Sequence, residues 1–364
     1  MKYMSEYRDP VLAKQYLHEL KNTVTRSWSI MEVCGGQTHS LVKNGILEML
    51  PEEITMIHGP GCPVCVTPLH LIDKAIHLVL KENVILCSFG DMLRVPGSEM
   101  SLLEAKAEGG DVRILYSPLE AVKIAEENPD KEVVFFAVGF ETTAPANALS
   151  VLAAHNKNLN NYSILASHVL VPPAMKAVID DEESKIDGFL AAGHVCTIMG
   201  NSEYYPISEL YNIPIVVTGF EPLDILQGIL MVVRQLERNV AKVENQYARI
   251  VKEEGNTEAQ NIISEVFEII NQTWRGIGEI PESGFGVREK YAHYDATIKY
   301  KVNIPEVKEN PECISGQIMK GIKKPYECVN FGKKCKPTNP LGAPMVSSEG
   351  ACAAYYHYSG LVEA

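Results

Sequence analysis

Eight short apolar segments, each followed by glycine and polar residues, constrain the fold of this 364-residue chain more than any other feature. They span residues 28–33, 54–57, 84–87, 113–116, 133–138, 162–166, 188–192 and 213–218. Segments this short, apolar on both faces and rich in β-branched residues are typical of strands buried within parallel sheets. The stretches between them, such as 69–81 and 119–127, have helical periodicity. This alternation predicts a doubly wound α/β fold.

The chain divides into four predicted regions. We expect an N-terminal helix over residues 1–27, a first α/β domain over 28–146, a second over 147–275 and a loop-rich domain over 276–364. The boundary near residue 146 rests on a short internal repeat, because Gly139-Phe140-Glu141 and Gly219-Phe220-Glu221 both follow an apolar segment. A chance match is the alternative for so short a repeat. The prediction is two parallel-sheet units around a cleft plus a small C-terminal region.

The segment before the loop-rich region has the periodicity of a long amphipathic helix. The pattern runs from Glu221 to Arg275 and is interrupted near Gly255. Beyond residue 276 glycine and proline become frequent and the periodicity fades. We therefore expect something other than a large apolar core to hold this last region together.

Charge and hydropathy exclude several classes of protein. With 33 basic and 46 acidic residues the net charge is −13, whereas a non-specific nucleic-acid binder needs a basic surface. No stretch approaches the roughly 18 consecutive apolar residues of a membrane helix, and the first residues lack the apolar core of a secretion signal. We expect a cytoplasmic protein without nucleic-acid or membrane partners. Structural disulfides are rare there, so nine cysteines indicate metal binding or redox chemistry.

The candidate site residues follow the predicted strands. Cys34 and His39 come after the first strand, Cys62 and Cys65 after the second, and Glu141 after the fifth. The carboxyl ends of parallel strands share one edge of a sheet, which is where open α/β folds bind ligands. We therefore expect a single site there, with these five residues as its catalytic candidates. A histidine or acid taken alone is more often a structural hydrogen-bonding residue.

The thiols at this edge allow more than one chemistry. Cys62 and Cys65 form a C-x-x-C motif near a predicted helix N-terminus, where thiol pKa values fall and thiolates become reactive. The pair could cycle between dithiol and disulfide, supply half of a metal site, or be inert. Cys34 could be a nucleophile, a soft metal ligand or a small buried apolar residue. The glycines beside it and the nearby His39 favour a functional role.

Four cysteines in the loop-rich region form a second candidate site. Cys313, Cys328, Cys335 and Cys352 could hold a [4Fe–4S] cluster or a tetrahedral zinc ion. Compact zinc sites usually pair their cysteines as C-x-x-C, so the wide spacing here favours iron and sulfur. Residues 313–340 also contain six lysines and one acid, Glu327. They predict a solvated basic face, or a complement to an anionic cluster or an acidic partner.

At these residues the chain resembles the HypD family of [NiFe]-hydrogenase maturation proteins. The resemblance begins at Met31 and runs to near the C-terminus. It is carried by residues 31–39, 58–68, 90–98, 135–145 and 193–200, and by the four-cysteine tail. So many motifs in the same order are specific to one family. Position 37 is glutamine, where histidine is commoner in the family, so a ligand role is not carried over to this position.

The resemblance implies a scaffold on which an Fe(CN)2CO group is assembled before delivery to the hydrogenase large subunit. In the family, the small chaperone HypC shares the iron with HypD through one cysteine from each partner, and HypE supplies the cyanide groups. Carried over to this chain, Cys34 is the expected iron ligand and Cys62 and Cys65 are the expected redox pair. The expected ligands of the [4Fe–4S] cluster are Cys313, Cys328, Cys335 and Cys352. Any turnover would be ligand transfer and reduction at iron, so the sequence leaves open whether the chain is an enzyme.

Two other functions would use fewer of these residues. A thiol–disulfide reductase fed by an iron–sulfur cluster needs neither mononuclear iron nor Cys34. A zinc-stabilised interaction module would use only the four cysteines of the tail. The assembly scaffold accounts for all three groups of cysteines, and it is the function we expect.

Overall fold

Strands in two sheets form the centre of the computed structural model, which describes residues 6–304 and 309–361. The strands are β1 (Trp28–Glu32), β2 (Ile54–His58), β3 (Ile85–Ser88), β4 (Val112–Ile114), β5 (Val133–Gly139), β6 (Tyr162–Val169), β7 (Gly188–Ala192), β8 (Ile215–Thr218), β9 (Val243–Asn245), β10 (Phe267–Trp274) and β11 (Gly278–Val287). All eight predicted strands are present as β1 to β8, and the α/β fold class is confirmed.

Helices connect the strands and supply the rest of the regular structure. The α-helices are α1 (Pro10–Thr23), α2 (Gly35–Lys43), α3 (Ile46–Met49), α4 (Pro63–Val66), α5 (Leu69–Lys81), α6 (Leu102–Ala107), α7 (Pro118–Glu127), α8 (Ala144–Asn156), α9 (Val171–Ile179), α10 (Gly193–Met199), α11 (Tyr204–Tyr211), α12 (Pro222–Glu237), α13 (Thr257–Val266), α14 (Ala296–Tyr300), α15 (Ser315–Met319) and α16 (Ala351–Tyr358). Short 3₁₀ helices span Glu6–Arg8, Gly90–Arg94, Glu289–Tyr294, Pro325–Glu327 and Ala343–Met345.

The two sheets differ in how their strands run. The first sheet has the order β2-β1-β7-β8-β9 and is parallel throughout. The second has the order β10-β11-β6-β5-β3-β4, in which β3 to β6 are parallel and the β10–β11 hairpin is antiparallel. Residues of β5 are buried at every position, as expected for a strand with helices on both sides.

The prediction of a long helix from Glu221 to Arg275, interrupted near Gly255, is correct only over α12 and α13. The strand β9 and its flanking turns lie between these two helices, and the last part of the predicted helix is a strand. α13 ends at Val266, and the chain continues directly into the strand β10. β10 lies at the edge of its sheet and leaves Ile269 and Ile270 60% and 37% exposed. Its apolar residues therefore do not alternate between a buried and a solvent face, and the period-2 signal of a strand is lost. Gly276, at a φ of 76°, helps to close the hairpin.

The predicted boundary at residue 146 does not coincide with the sheets. It falls inside α8, and each sheet takes strands from both sides of it. The chain leaves the first sheet after β2, builds the parallel part of the second, and returns to the first at β7. The repeated Gly-Phe-Glu motif thus follows β5 of the second sheet and β8 of the first. It reflects similar strand ends in two interleaved sheets rather than two consecutive domains.

The N-terminal helix packs against a helix of the core. α1 begins after Asp9, whose side chain accepts from Val11 N at 2.7 Å, and it packs against α12. The predicted N-terminal helix is thus present, although residues 1–5 lie outside the described part of the chain. Beyond Val287 the described residues form short helices and loops. No helix within residues 6–304 and 309–361 is long and apolar enough to cross a membrane.

Candidate functional site

The Cys34 thiol lies at the carboxyl edge of the first sheet. β1 ends at Glu32, and Cys34 then adopts an extended backbone conformation just before α2. Its Sγ atom is 3.6 Å from Nδ1 of His194, which follows the neighbouring strand β7. Burial lowers the pKa of His194 to about 4, so the ring is neutral at pH 7. Two adjacent strands thus bring a buried thiol and a neutral imidazole together.

A buried hydrogen-bond network centred on Glu32 holds this edge. The carboxyl group accepts from Cys34 N at 2.9 Å and from the hydroxyl of Thr38. His58 Nδ1, across the β1–β2 register, lies 2.8 Å from the same carboxyl group. The other ring nitrogen of His58 is 3.0 Å from the hydroxyl of Tyr355 on α16. One side chain therefore joins the ends of two strands, the first turn of α2 and, through His58, the C-terminal helix.

Burial also sets the protonation state of the Cys34 thiol. Loss of water contact raises its pKa above the usual 9.0, and the nearby carboxyl groups of Glu32 and Glu349 raise it further. The backbone N–H groups of Gly36 and Gln37 at the start of α2 oppose these effects. The thiol is consequently protonated at pH 7. A soft metal ion that binds here would displace the proton.

Two glycines let the surrounding backbone approach Cys34. A Cβ atom at Gly61 would lie 2.2 Å from Cys34 N, and one at Gly35 would lie 2.4 Å from the Cβ of Glu349. Gly35 N donates to Gly61 O at 2.8 Å, which ties the loop after β2 to the start of α2. Backbone atoms thus occupy space in which a side chain could not fit.

Cys62 and Cys65 form a disulfide immediately beyond β2. Cys62 precedes the single-turn helix α4, and its Sγ accepts from Cys65 N at 3.2 Å. Both sulfurs are buried in the same apolar cluster as Cys34 and Phe140. The first and second strands therefore deliver all three predicted thiols to one buried region.

The four C-terminal cysteines surround a common cavity. Cys313, Cys328, Cys335 and Cys352 all line it. Pro344 and Met345 also line this cavity, and they belong to a 3₁₀ helix that packs against α4. This 3₁₀ helix therefore joins the wall of the four-cysteine cavity to α4, the short helix that contains Cys65.

Several features of this cavity fit an iron–sulfur cluster. A Cβ atom at Gly342 would come within 2.3 Å of Cys313 Sγ, so the position leaves room beside the sulfur. Leu341 N donates to Cys335 Sγ at 3.4 Å, and hydrogen bonds of this kind stabilise a thiolate. Burial and the other three cysteines raise the pKa of Cys352, so the four sulfurs share one environment. Within the described ranges, no group of three or more histidine, cysteine, aspartate or glutamate side chains is arranged to hold a single metal ion. A [4Fe–4S] cluster does not require such convergence, because each of its four cysteines binds a different iron.

His39 faces the C-terminal tail. Its Nδ1 is 3.1 Å from Ser348 O, and its ring meets that of Tyr358 edge-on at 5.1 Å. Among the described residues, the imidazole that contacts the Cys34 thiol is that of His194. Gln37, also on α2, donates from Nε2 to Thr218 Oγ1 at 2.6 Å and so links α2 to the end of β8.

Glu141 is buried at the carboxyl end of β5. One carboxyl oxygen accepts from Val171 N at 2.9 Å, and the other has no hydrogen-bond partner within the described residues. Burial raises the pKa of Glu141 to about 8, so the group is largely protonated at pH 7. It lies near the thiol of Cys196 and the hydroxyl of Tyr204, which belong to the apolar cluster that contains the disulfide.

Sequence reasoning did not select Glu32 and Glu349 as site residues. Glu32 was visible as a charged residue at the end of an apolar strand, a position that requires partners when it is buried. Glu349 lies far along the chain, and its contact with Gly35 depends on the folding of the tail. No local pattern in the sequence could have revealed that contact.

Replacing Gly61 by alanine tests the close backbone approach. We expect Gly61→Ala to reduce the free energy of unfolding by about 1–3 kcal/mol, because the new methyl group would overlap the backbone of Cys34. Urea denaturation checks this. Gly90→Ala is the matched control, since its nearest atom would be 3.8 Å away. Equal stability of the two variants would contradict the packing described here.

Glu141 predicts a specific pH dependence. The folded state retains the proton up to a pKa of about 8, whereas the usual pKa is 4.5, so stability falls as the pH rises between these values. We expect Glu141→Gln to remove this dependence and to gain up to about 3 kcal/mol at pH 7. Urea denaturation across this pH range, with the exposed Glu52→Gln as control, measures it. An unchanged pH profile in Glu141→Gln would refute the assignment.

Comparison with known proteins identifies the family. A family model described as HypD, hydrogenase formation hypA family, matches residues 11–359. The chain is 46% identical to hydrogenase maturation factor HypD2 of Bradyrhizobium diazoefficiens and to hydrogenase maturation factor HypD of Azotobacter vinelandii, over 98% of this chain and 97% of each relative. It is 43% identical to hydrogenase maturation factor HypD of Escherichia coli, over 98% of both chains. The chain therefore belongs to the HypD family of hydrogenase maturation factors.

Proposed function

We propose that this hydrogenase maturation factor is the scaffold on which the Fe(CN)2CO group of [NiFe]-hydrogenase is assembled, with Cys34 as the iron ligand. The observation that carries the proposal is the position of Cys34 at a sheet edge, against His194 and beside glycine backbone. Iron that carries cyanide and carbonyl is soft and low-spin, so thiolate ligation suits it. The iron is cargo here, because it leaves with its ligands for another protein.

The proposal includes two partner proteins, which rest on the family resemblance. A small chaperone of the HypC type would share the iron through its own cysteine, and a HypE-type protein would supply the cyanide groups. We also place this work in the cytoplasm, where Cys34 and the four tail cysteines would remain reduced.

The tail cysteines would hold a resident [4Fe–4S] cluster. The common cavity, the space at Gly342 and the N–H group of Leu341 support this assignment. When bound, such a cluster supplies one-electron transfer. The 3₁₀ helix Ala343–Met345 lines the cavity and packs against α4, and this contact supports electron transfer from the cluster to the disulfide.

The Cys62–Cys65 disulfide would be the redox partner of the iron site. Its conversion to two thiols takes up two electrons and two protons. We assign Glu141 a role in proton supply, because it is protonated at pH 7 and lies two residues beyond β5, against which α4 packs. The unpartnered oxygen of Glu141 leaves one polar atom free for this task within the described part of the structure.

Loss of the Cys34 thiol tests the iron assignment. We expect Cys34→Ala to keep the fold and the iron of the cluster but to lose the cyanide and carbonyl bands in the infrared spectrum of the purified complex. The reason is that alanine removes only the proposed ligand atom from a buried position.

The matched control is Cys87→Ala, which removes a buried thiol from β3 in the second sheet. We expect this variant to keep both bands. Infrared bands of normal intensity in Cys34→Ala would overturn the ligand assignment.

Loss of either thiol of the pair tests the redox assignment. We expect Cys62→Ser and Cys65→Ser to abolish hydrogenase maturation in cells while the iron and acid-labile sulfide of the cluster stay unchanged. Cys196→Ser is the control, because its thiol lies in the same apolar cluster but is not part of the disulfide. A coincident loss of cluster iron in the first two variants would show that the pair is a ligand set instead.

A thiol–disulfide reductase without mononuclear iron is the second candidate. The contact between α4 and the 3₁₀ helix Ala343–Met345, which lines the four-cysteine cavity, favours this second function. This function needs four irons per chain and no Cys34, whereas the loaded scaffold holds a fifth, low-spin iron. Iron analysis with Mössbauer spectroscopy separates the two, on the chain alone and on its complex with the small chaperone.

A further inference from the structure

A small group of exposed residues lies next to two cysteines of the four-cysteine cavity in the chain. We define it by Val329, Lys333, Lys334 and Lys336, and we refer to it as the lysine patch. Val329 is 77% exposed, and the three lysines are exposed. All four residues lie in the loop between and just beyond two cavity-lining cysteines, Cys328 and Cys335. The patch therefore combines one exposed apolar side chain with three exposed basic ones.

The backbone keeps these side chains close to the cavity. Cys335 N donates to Asn330 O at 3.0 Å, and Gly332 N donates to Cys335 O at 3.1 Å, so the loop is folded back on itself. Lys336 is adjacent to Cys335 in the chain, and Lys333 is two residues away. Successive Cα atoms are about 3.8 Å apart. The Cα atom of each lysine thus lies within about 8 Å of the Cα atom of Cys335, which lines the cavity.

The charge of the patch is only partly compensated. Lys334 pairs with Glu312 at 2.8 Å. Lys333 and Lys336 make no ion pair with any described residue. The lysines earlier in the segment are engaged elsewhere, since Lys320 pairs with Asp181 and Lys323 with Glu327. In a chain with a net charge of −13, the patch is a local exception.

We propose that the lysine patch is the docking site for a small acidic one-electron carrier that reduces the cavity-bound cluster. This inference rests on the cluster assignment of the proposed function. In each encounter the carrier loses one electron and the iron of the cluster gains it, without bond making or proton transfer. Two encounters supply the two electrons that the Cys62–Cys65 disulfide requires.

Charge and size argue for an acidic carrier over other occupants. Complementary charge steers diffusional encounter and raises association rates, which suits a partner that must bind and leave repeatedly. A patch with one exposed apolar residue fits a small transient interface rather than a stable subunit contact. The acidic remainder of the chain repels such a carrier and directs it to this surface.

The test uses a reduced acidic [2Fe–2S] ferredoxin as the probe and the full chain with its cluster. We expect Lys333→Glu/Lys336→Glu to slow cluster reduction by the ferredoxin at least about tenfold at low ionic strength. Stopped-flow absorbance under anaerobic conditions measures the rate. Raising the salt concentration from about 0.05 M to about 0.5 M should also slow reduction of the cluster in the parent protein. The difference in rate between the parent and the double variant should then become smaller.

A binding measurement gives a readout that is independent of electron transfer. Calorimetric titration with oxidised ferredoxin should show weaker binding to the double variant than to the parent. The matched control is Lys14→Glu/Lys21→Glu, which makes the same charge change on two exposed lysines of α1. We expect this control to behave like the parent in both assays.

Two outcomes have separate meanings. Iron and sulfide analysis together with bleaching by dithionite reports the cluster, so a protein that lacks both signals contradicts the proposed function itself. If the cluster is present and dithionite reduces it normally, equal ferredoxin rates in the two double variants would overturn the docking site. In that case the lysines would serve only to balance the charge of the cluster or to bind an acidic partner that carries no electrons.

Discussion

The candidate site depends on the burial of one carboxyl group, that of Glu32. A buried carboxyl group is costly unless its oxygens have partners, and Glu32 finds them in Cys34 N, the Thr38 hydroxyl and His58. These partners belong to the end of β1, the first turn of α2 and the end of β2. The hydrogen bonds that the buried Glu32 carboxyl group requires therefore fix the positions of the segments that follow β1 and β2 and carry the predicted thiols.

Burial also keeps the side chains around Cys34 uncharged at pH 7. The Cys34 thiol is protonated and the adjacent His194 is neutral at pH 7. Water is largely excluded, because only 2% of Cys34 is exposed. A buried thiol of this kind is a poor nucleophile toward small electrophiles, since the thiolate is the reactive form. A metal ion that binds here would convert the thiol to a thiolate, because the charge of the metal stabilises the deprotonated form.

Local sequence predicted those parts of the fold whose environment is uniform along a segment. Most of the strands β1 to β8 are predictable because they are buried and apolar over most of their length, as in β5. The edge strand β10 was missed because Ile269 and Ile270 face solvent. Candidate site residues that directly follow a buried strand are predictable from the position of that strand, whereas Glu349 follows no strand and is not. Its contact with Gly35 joins positions more than three hundred residues apart, and only the folded chain creates it.

The interleaving of the two sheets has a consequence for the order in which the chain can fold. β1 and β7 pair directly, and Ser29 N bonds to the carboxylate of Asp187, 158 positions later. Contacts between such distant segments form slowly, because the intervening chain must first be closed into a loop. On a ribosome, Cys34, Cys62 and Cys65 therefore emerge long before β7 arrives to bury the edge that carries them. The three thiols experience an interval in which solvent and small oxidants reach them freely, and the redox conditions at synthesis affect the state in which the site is finally enclosed.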